Sequence, residues 1–65
     1  MNALPIIDFK NKSYVFDKRL KQLRELNGLF FIDLDNNQIE LLEYAINSKD
    51  KKLIKINMSE LIDGN

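Results

Sequence analysis

The segment FFIDLDNNQIELLEY holds the residues of this chain whose types and spacing come closest to a chemical motif. Asp33, Asp35 and Asn37 alternate along it and carry side-chain oxygens, the atoms that calcium and magnesium bind. They match positions 1, 3 and 5 of an EF-hand loop. The later positions depart from that pattern, because Gln38 stands where glycine is needed and Tyr44 stands where glutamate is needed. We therefore predict no metal site in this segment.

The shorter stretch FFIDLDNNQ resembles the opening motif of the haloacid-dehalogenase-like phosphatases, in which an apolar strand ends in Asp-x-Asp. The resemblance implies Asp33 as nucleophile and Asp35 as general acid. That family also needs a serine or threonine, a lysine and a second acidic cluster, on a sheet far longer than this 65-residue chain can build. A simpler physical explanation covers the same residues, since Asp35 or Asn36 can accept hydrogen bonds from the first free N–H groups of a helix. We interpret the segment as a strand end and a capped helix.

The composition limits the chemistry that remains. Histidine and cysteine are both absent, so the chain lacks the commonest general base at neutral pH, thiolate ligands and any disulfide. No nucleophile is paired with a base in the sequence, and we predict neither catalytic residues nor a cofactor. Ten basic and ten acidic residues cancel to a formal net charge of zero, which indicates no particular class of partner. Without a signal-like N-terminus or a spanning apolar run, we expect a soluble, cytoplasmic protein without a membrane partner.

The elements that position these residues follow from hydrophobic periodicity and turn signals. We predict a small α+β domain over residues 1–65, with one mixed sheet formed by an N-terminal β-hairpin, a central strand and a C-terminal strand, and with two amphipathic helices. The predicted order is β-β-α-β-α-β plus a short C-terminal helical turn. The predicted strands cover residues 6–10, 13–16, 29–34 and 51–57, the helices cover 17–28 and 36–48, and the helical turn covers 57–62.

The main functional hypothesis rests on apolar surface for which these elements offer no cover. Two short helices do not easily cover both faces of a sheet, and the strand at 29–34 is apolar on both faces. Monomers seldom expose a large apolar patch, so we predict a small non-enzymatic binding module that forms a homodimer or binds a protein partner. The alternative is a monomer whose helices lie on opposite faces of the sheet. The candidate interface residues are Phe30, Phe31, Ile32, Val15 and Leu53.

The alternative function is nucleic-acid binding or regulation through the basic face of the predicted helix at 17–28. Lysine and arginine side chains on such a face can contact phosphates, although a solvated helix face explains the same pattern. The residues concerned, including those of the preceding turn, are Lys10, Lys12, Lys18, Arg19, Lys21 and Arg24.

Overall fold

The computed structural model describes residues 3–64 and divides the chain into two compact units, Met1–Asp35 and Asn36–Asn65. The first unit is a four-stranded antiparallel sheet with strand order β1-β2-β3-β4. The second is a pair of helices. The small α+β class is therefore confirmed, but with the order β-β-β-β-α-α. No helix in the described part of the chain is long and apolar enough to cross a membrane. The elements are β1 Ile6–Phe9, β2 Lys12–Asp17, β3 Gln22–Glu25, β4 Phe31–Asp33, α1 Asn36–Asn47 and α2 Lys51–Asp63.

Short turns set the register of the sheet. Phe9 pairs with Lys12 across a two-residue loop in which Lys10 and Asn11 have φ values of 49° and 66°. Positive φ at both positions is the type I′ geometry, whose twist matches that of the flanking strands. The predicted N-terminal hairpin is thus confirmed. The observed strand bounds differ from the predicted ones by no more than one residue.

Alternation along the strands gives the sheet one buried face and one more exposed face. The buried face has apolar residues on all four strands. On the opposite face, which we call the outer face, β1 and β4 carry exposed side chains. The buried residues on the first face are Ile7, Phe9, Tyr14, Phe16, Leu23 and, just after β4, Leu34.

The second unit is a helical hairpin with a tight connection. The N–H groups of Asp50 and Lys49 donate to the carbonyls of Ala45 and Ile46, while Lys49 has a φ of 55°. This is the Schellman arrangement, which satisfies the last carbonyls of a helix. The Asp50 carboxylate then caps α2 by accepting a 3.1 Å hydrogen bond from the N–H of Leu53. One residue therefore ends one helix and begins the next.

The predicted helix at 17–28 is wrong, because this stretch forms the β2–β3 loop, β3 and the β3–β4 turn. Leu20, Leu23 and Leu26 recur every three residues, a spacing that also fits a strand with one leucine in each flanking turn. Only Leu23 is buried. Leu23 is paired with Phe16 on β2 and with Ile32 on β4. This pairing with neighbouring strands makes the segment a strand and not a helix.

Two further predictions also need correction. The predicted central strand at 29–34 is the three-residue edge strand β4, and β2 and β3 are the inner strands of the sheet. The predicted C-terminal strand at 51–57 and the helical turn at 57–62 form one helix, α2. Alternating Ile54 and Ile56 favour a strand locally, whereas Met58 and Leu61 are buried at helical spacing. The sheet is therefore antiparallel and not mixed.

Candidate interaction surface

The outer face of the sheet carries a row of side chains that runs across all four strands. Ile6 lies opposite Val15, Val15 opposite Arg24, and Arg24 opposite Phe31. Strands are about 4.8 Å apart, so the row is roughly 14 Å long. Ile6 is 57% exposed and Phe31 is 53% exposed, whereas Val15 is buried. The two edge strands thus present large apolar side chains to solvent at both ends of the row.

Arg24, in the middle of the row, is held by an ion pair. Its Nη1 donates a 2.9 Å hydrogen bond to Oδ2 of Asp17, and the Asp17 side chain is only 8% exposed. The other carboxylate oxygen of Asp17 accepts a 3.0 Å hydrogen bond from the N–H of Leu20. Asp17 therefore fixes the β2–β3 loop and directs Arg24 across the sheet.

These contacts lower the pKa of Asp17 below its ordinary value of 3.8. The main cause of the lowered pKa is the hydrogen bond from Arg24, followed by the hydrogen bond from the N–H of Leu20. Burial of the carboxylate acts in the opposite direction and raises the pKa. The charge of Arg24 is thus largely neutralised within the outer face. The exposed carboxylates of this face, Asp8 and Asp33, give it an acidic character.

The structure distributes the predicted interface residues over several places. Val15 and Phe31 belong to the outer-face row, and exposed Phe30 immediately precedes β4. Ile32 has Leu23 as its cross-strand partner and lies on the other face. Leu53 is part of α2, in the second unit, and is half-buried. Within the sheet unit, the predicted residues are therefore divided between the two faces.

Sequence reasoning missed two features of this surface. The Asp17–Arg24 pair was not predicted, because both residues fall within the predicted helix at 17–28. The β3–β4 turn, residues 26–30, lies where the predicted helix ends and the predicted central strand begins. This turn exposes further apolar side chains beside Phe31. They are Leu26, Leu29 and Phe30.

The predicted basic face is divided between opposite ends of the sheet. Lys10 lies in the β1–β2 turn and Lys12 begins β2, whereas Lys18, Arg19 and Lys21 lie in or border the β2–β3 loop. Consecutive hairpin turns lie at opposite ends of the strands they connect. Arg24 is engaged by Asp17. The structure therefore does not place these cations on one continuous surface.

One groove in the described residues is small for a ligand site. It lies in the helical unit and is lined by residues that include Leu41, Asn57 and Leu61. Its volume is about 150 Å³, well below the roughly 300–1,000 Å³ of typical ligand pockets. Within residues 3–64, no three His, Cys, Asp or Glu side chains gather closely enough to hold a metal ion. The two aspartates of the Asp-x-Asp stretch, Asp33 and Asp35, lie on either side of the buried Leu34 in the chain.

Comparisons with family models, with curated proteins and with solved structures find no match to this chain.

Proposed function

We propose that this protein is a small, non-enzymatic binding module that associates with a second copy of itself through the outer face of its sheet. The observation that supports the proposal is the exposure of Ile6 and Phe31, at 57% and 53%, on a regular sheet surface. An apolar contact patch rimmed by polar groups is typical of protein interaction sites. Asp8 and Asp33 supply such a rim on strands β1 and β4.

The size of the chain supports self-association in particular. A chain of 65 residues builds a small core that rarely supplies more than about 3–5 kcal/mol. Disulfides are impossible because cysteine is absent. Binding a second copy stabilises the folded state by mass action and removes the apolar row from water.

The nucleic-acid alternative stays an untested prediction. It depended on a basic helix at 17–28, and that helix is replaced by a loop and a strand. No observation favours it over association through the outer face, so we do not propose it.

Sedimentation equilibrium over a wide concentration range tests the proposal. We expect the wild-type mass to rise with concentration, and we expect Phe31→Glu to remain a monomer with an unchanged far-UV circular dichroism spectrum. Burying an unpaired charge in an apolar interface is unfavourable. Leu20→Glu is the matched control, because Leu20 is an exposed apolar residue in the β2–β3 loop, and this variant should associate like the wild type.

A wild type that is monomeric at every concentration would overturn the proposal. Association that persists in folded Phe31→Glu would also overturn it, because the interface would then lie elsewhere.

A further inference from the structure

The outward side of α2 is basic and apolar. Lys55 and Ile56 lie three and four residues after Lys52, so both side chains neighbour that of Lys52 on one side of the helix. The buried residues Met58 and Leu61 lie on the other side. Ile56 is 58% exposed and both lysines are exposed. We call these three residues the α2 stripe.

Lys51 and Lys52 lie in an electrostatically unfavourable position, at the N-terminal end of α2. The N-terminal end of a helix carries partial positive charge, which favours anions and disfavours cations. The first turn of α2 contains no acidic residue and begins with Lys51 and Lys52, while Asp50 alone provides a carboxylate at the cap. A carboxylate brought from outside the helix would therefore be attracted to this end.

The outer face of the sheet offers a carboxylate at a matching distance from an apolar side chain. Phe31 and Asp33 are two residues apart on β4, so they project on the same side about 6.8 Å apart. Ile56 and Lys52 are four residues apart, which is about one helical turn and roughly 6 Å along the axis. Each surface thus has an apolar residue and a charged residue at a similar spacing. The charge is negative on the outer face and positive on the α2 stripe.

Two identical outer faces fit each other less well. Arg24 is already neutralised by Asp17, and the exposed charges of the face are the carboxylates of Asp8 and Asp33. Placing two such faces together would bring like charges into one interface, which disfavours association. A basic counter-surface avoids this repulsion.

We infer that the outer face of one copy binds the α2 stripe of a second copy, with Phe31 against Ile56 and Asp33 paired with Lys52. The inference rests on the proposed self-association and names the surface that the outer face binds. The contact joins two different surfaces and is therefore heterologous unless the two copies exchange it reciprocally about a two-fold axis. Added salt weakens the contact because the charged pair is near the surface.

A charge exchange between two variants tests the inference. Asp33→Lys places lysine against Lys52, and Lys52→Asp places aspartate against Asp33, so each variant alone should associate about tenfold more weakly than the wild type. An equimolar mixture restores opposite charges at both contacts. We expect the mixture, and the double variant Asp33→Lys/Lys52→Asp, to recover most of the association in sedimentation equilibrium.

Arg19→Glu is the control for a reversed charge, because Arg19 is an exposed cation in the β2–β3 loop, and it should associate like the wild type. Ile56→Ser tests the apolar half of the contact and should weaken association without changing the circular dichroism spectrum.

The possible failures are distinguishable. If Phe31→Glu abolishes self-association while Lys52→Asp and Ile56→Ser leave it unchanged, the outer face is the interface and the α2 stripe is not its partner. Absence of recovery in the mixture would likewise reject the Asp33–Lys52 pairing. A wild type that never associates rejects both this inference and the proposed function.

Discussion

At the scale of single residues, the buried Asp17 links the ionisation of a carboxylate to the stability of the sheet unit. Its folded pKa is lowered below 3.8 by Arg24 and by backbone N–H groups. A depressed carboxylate pKa contributes stability that is fully present above the unfolded value. That contribution is lost as the pH falls from about 3.8 through the lower, folded pKa.

We expect the free energy of unfolding to decrease over this acidic range, and Asp17→Asn to remove part of the decrease. Urea denaturation at a series of pH values measures the free energy of unfolding of the wild type and of Asp17→Asn. Carboxyl-carbon NMR provides the direct readout: Asp17 should titrate below 3.8 in the wild type and closer to that value in Arg24→Gln. An unchanged midpoint in Arg24→Gln would show that the guanidinium does not cause the shift.

Lys49 is a second residue with a specific local effect. Its φ of 55° lies in the left-handed region, which disfavours side chains with a Cβ and favours glycine. Lys49→Gly should therefore raise the free energy of unfolding by about 1 kcal/mol, as measured by chemical denaturation. Lys51→Gly is the control, because residue 51 is helical and glycine there should lower stability. Destabilisation by Lys49→Gly would contradict the Schellman arrangement.

At the scale of elements, Leu20 and Leu23 distinguish the observed strand from the predicted helix. Leu23 is fully buried and Leu20 is 62% exposed. Leu23→Ala should cost about 2–5 kcal/mol of stability, whereas Leu20→Ala should change it by no more than about 0.5 kcal/mol. Thermal or urea unfolding measures both. Similar large losses for the two variants would favour the helix, in which both leucines would lie on one apolar side.

The same elements show why local patterns were only partly sufficient. Strands β1 and β2 and helix α1 were predicted because each has one clear period and a turn or cap at its boundary. The stretch around Leu23 has a leucine spacing compatible with both element types, and its partners Phe16 and Ile32 are distant in sequence. For α2, the capping role of Asp50 was missed within a polar stretch. Of the residues predicted for the interface, Val15 and Phe31 lie on the outer face and Phe30 immediately precedes β4.

At the scale of the whole molecule, the question is whether the units Met1–Asp35 and Asn36–Asn65 unfold together. Pieces of this size bury little surface and rarely fold alone. We therefore propose that residues 1–65 unfold as one domain in a single transition.

The two tyrosines of the chain, Tyr14 and Tyr44, allow a direct test. Tyr44→Phe leaves Tyr14, which is buried in the sheet, as the sole tyrosine probe. Its fluorescence should report the same thermal midpoint as the helical signal of α1 and α2 in far-UV circular dichroism. Different midpoints for the two signals would show that the units unfold separately.

The sequence by itself determined the α+β class, the N-terminal hairpin, helix α1 and the lack of histidine and cysteine chemistry. Those features depend on composition or on contacts between residues close in the chain. Only the tertiary structure decided that residues 22–25 form a strand, that 51–63 form one helix, and that Ile6, Arg24 and Phe31 share one face. The physical reason is that strand pairing joins residues far apart in sequence, so a local pattern compatible with both helix and strand is decided by those distant partners.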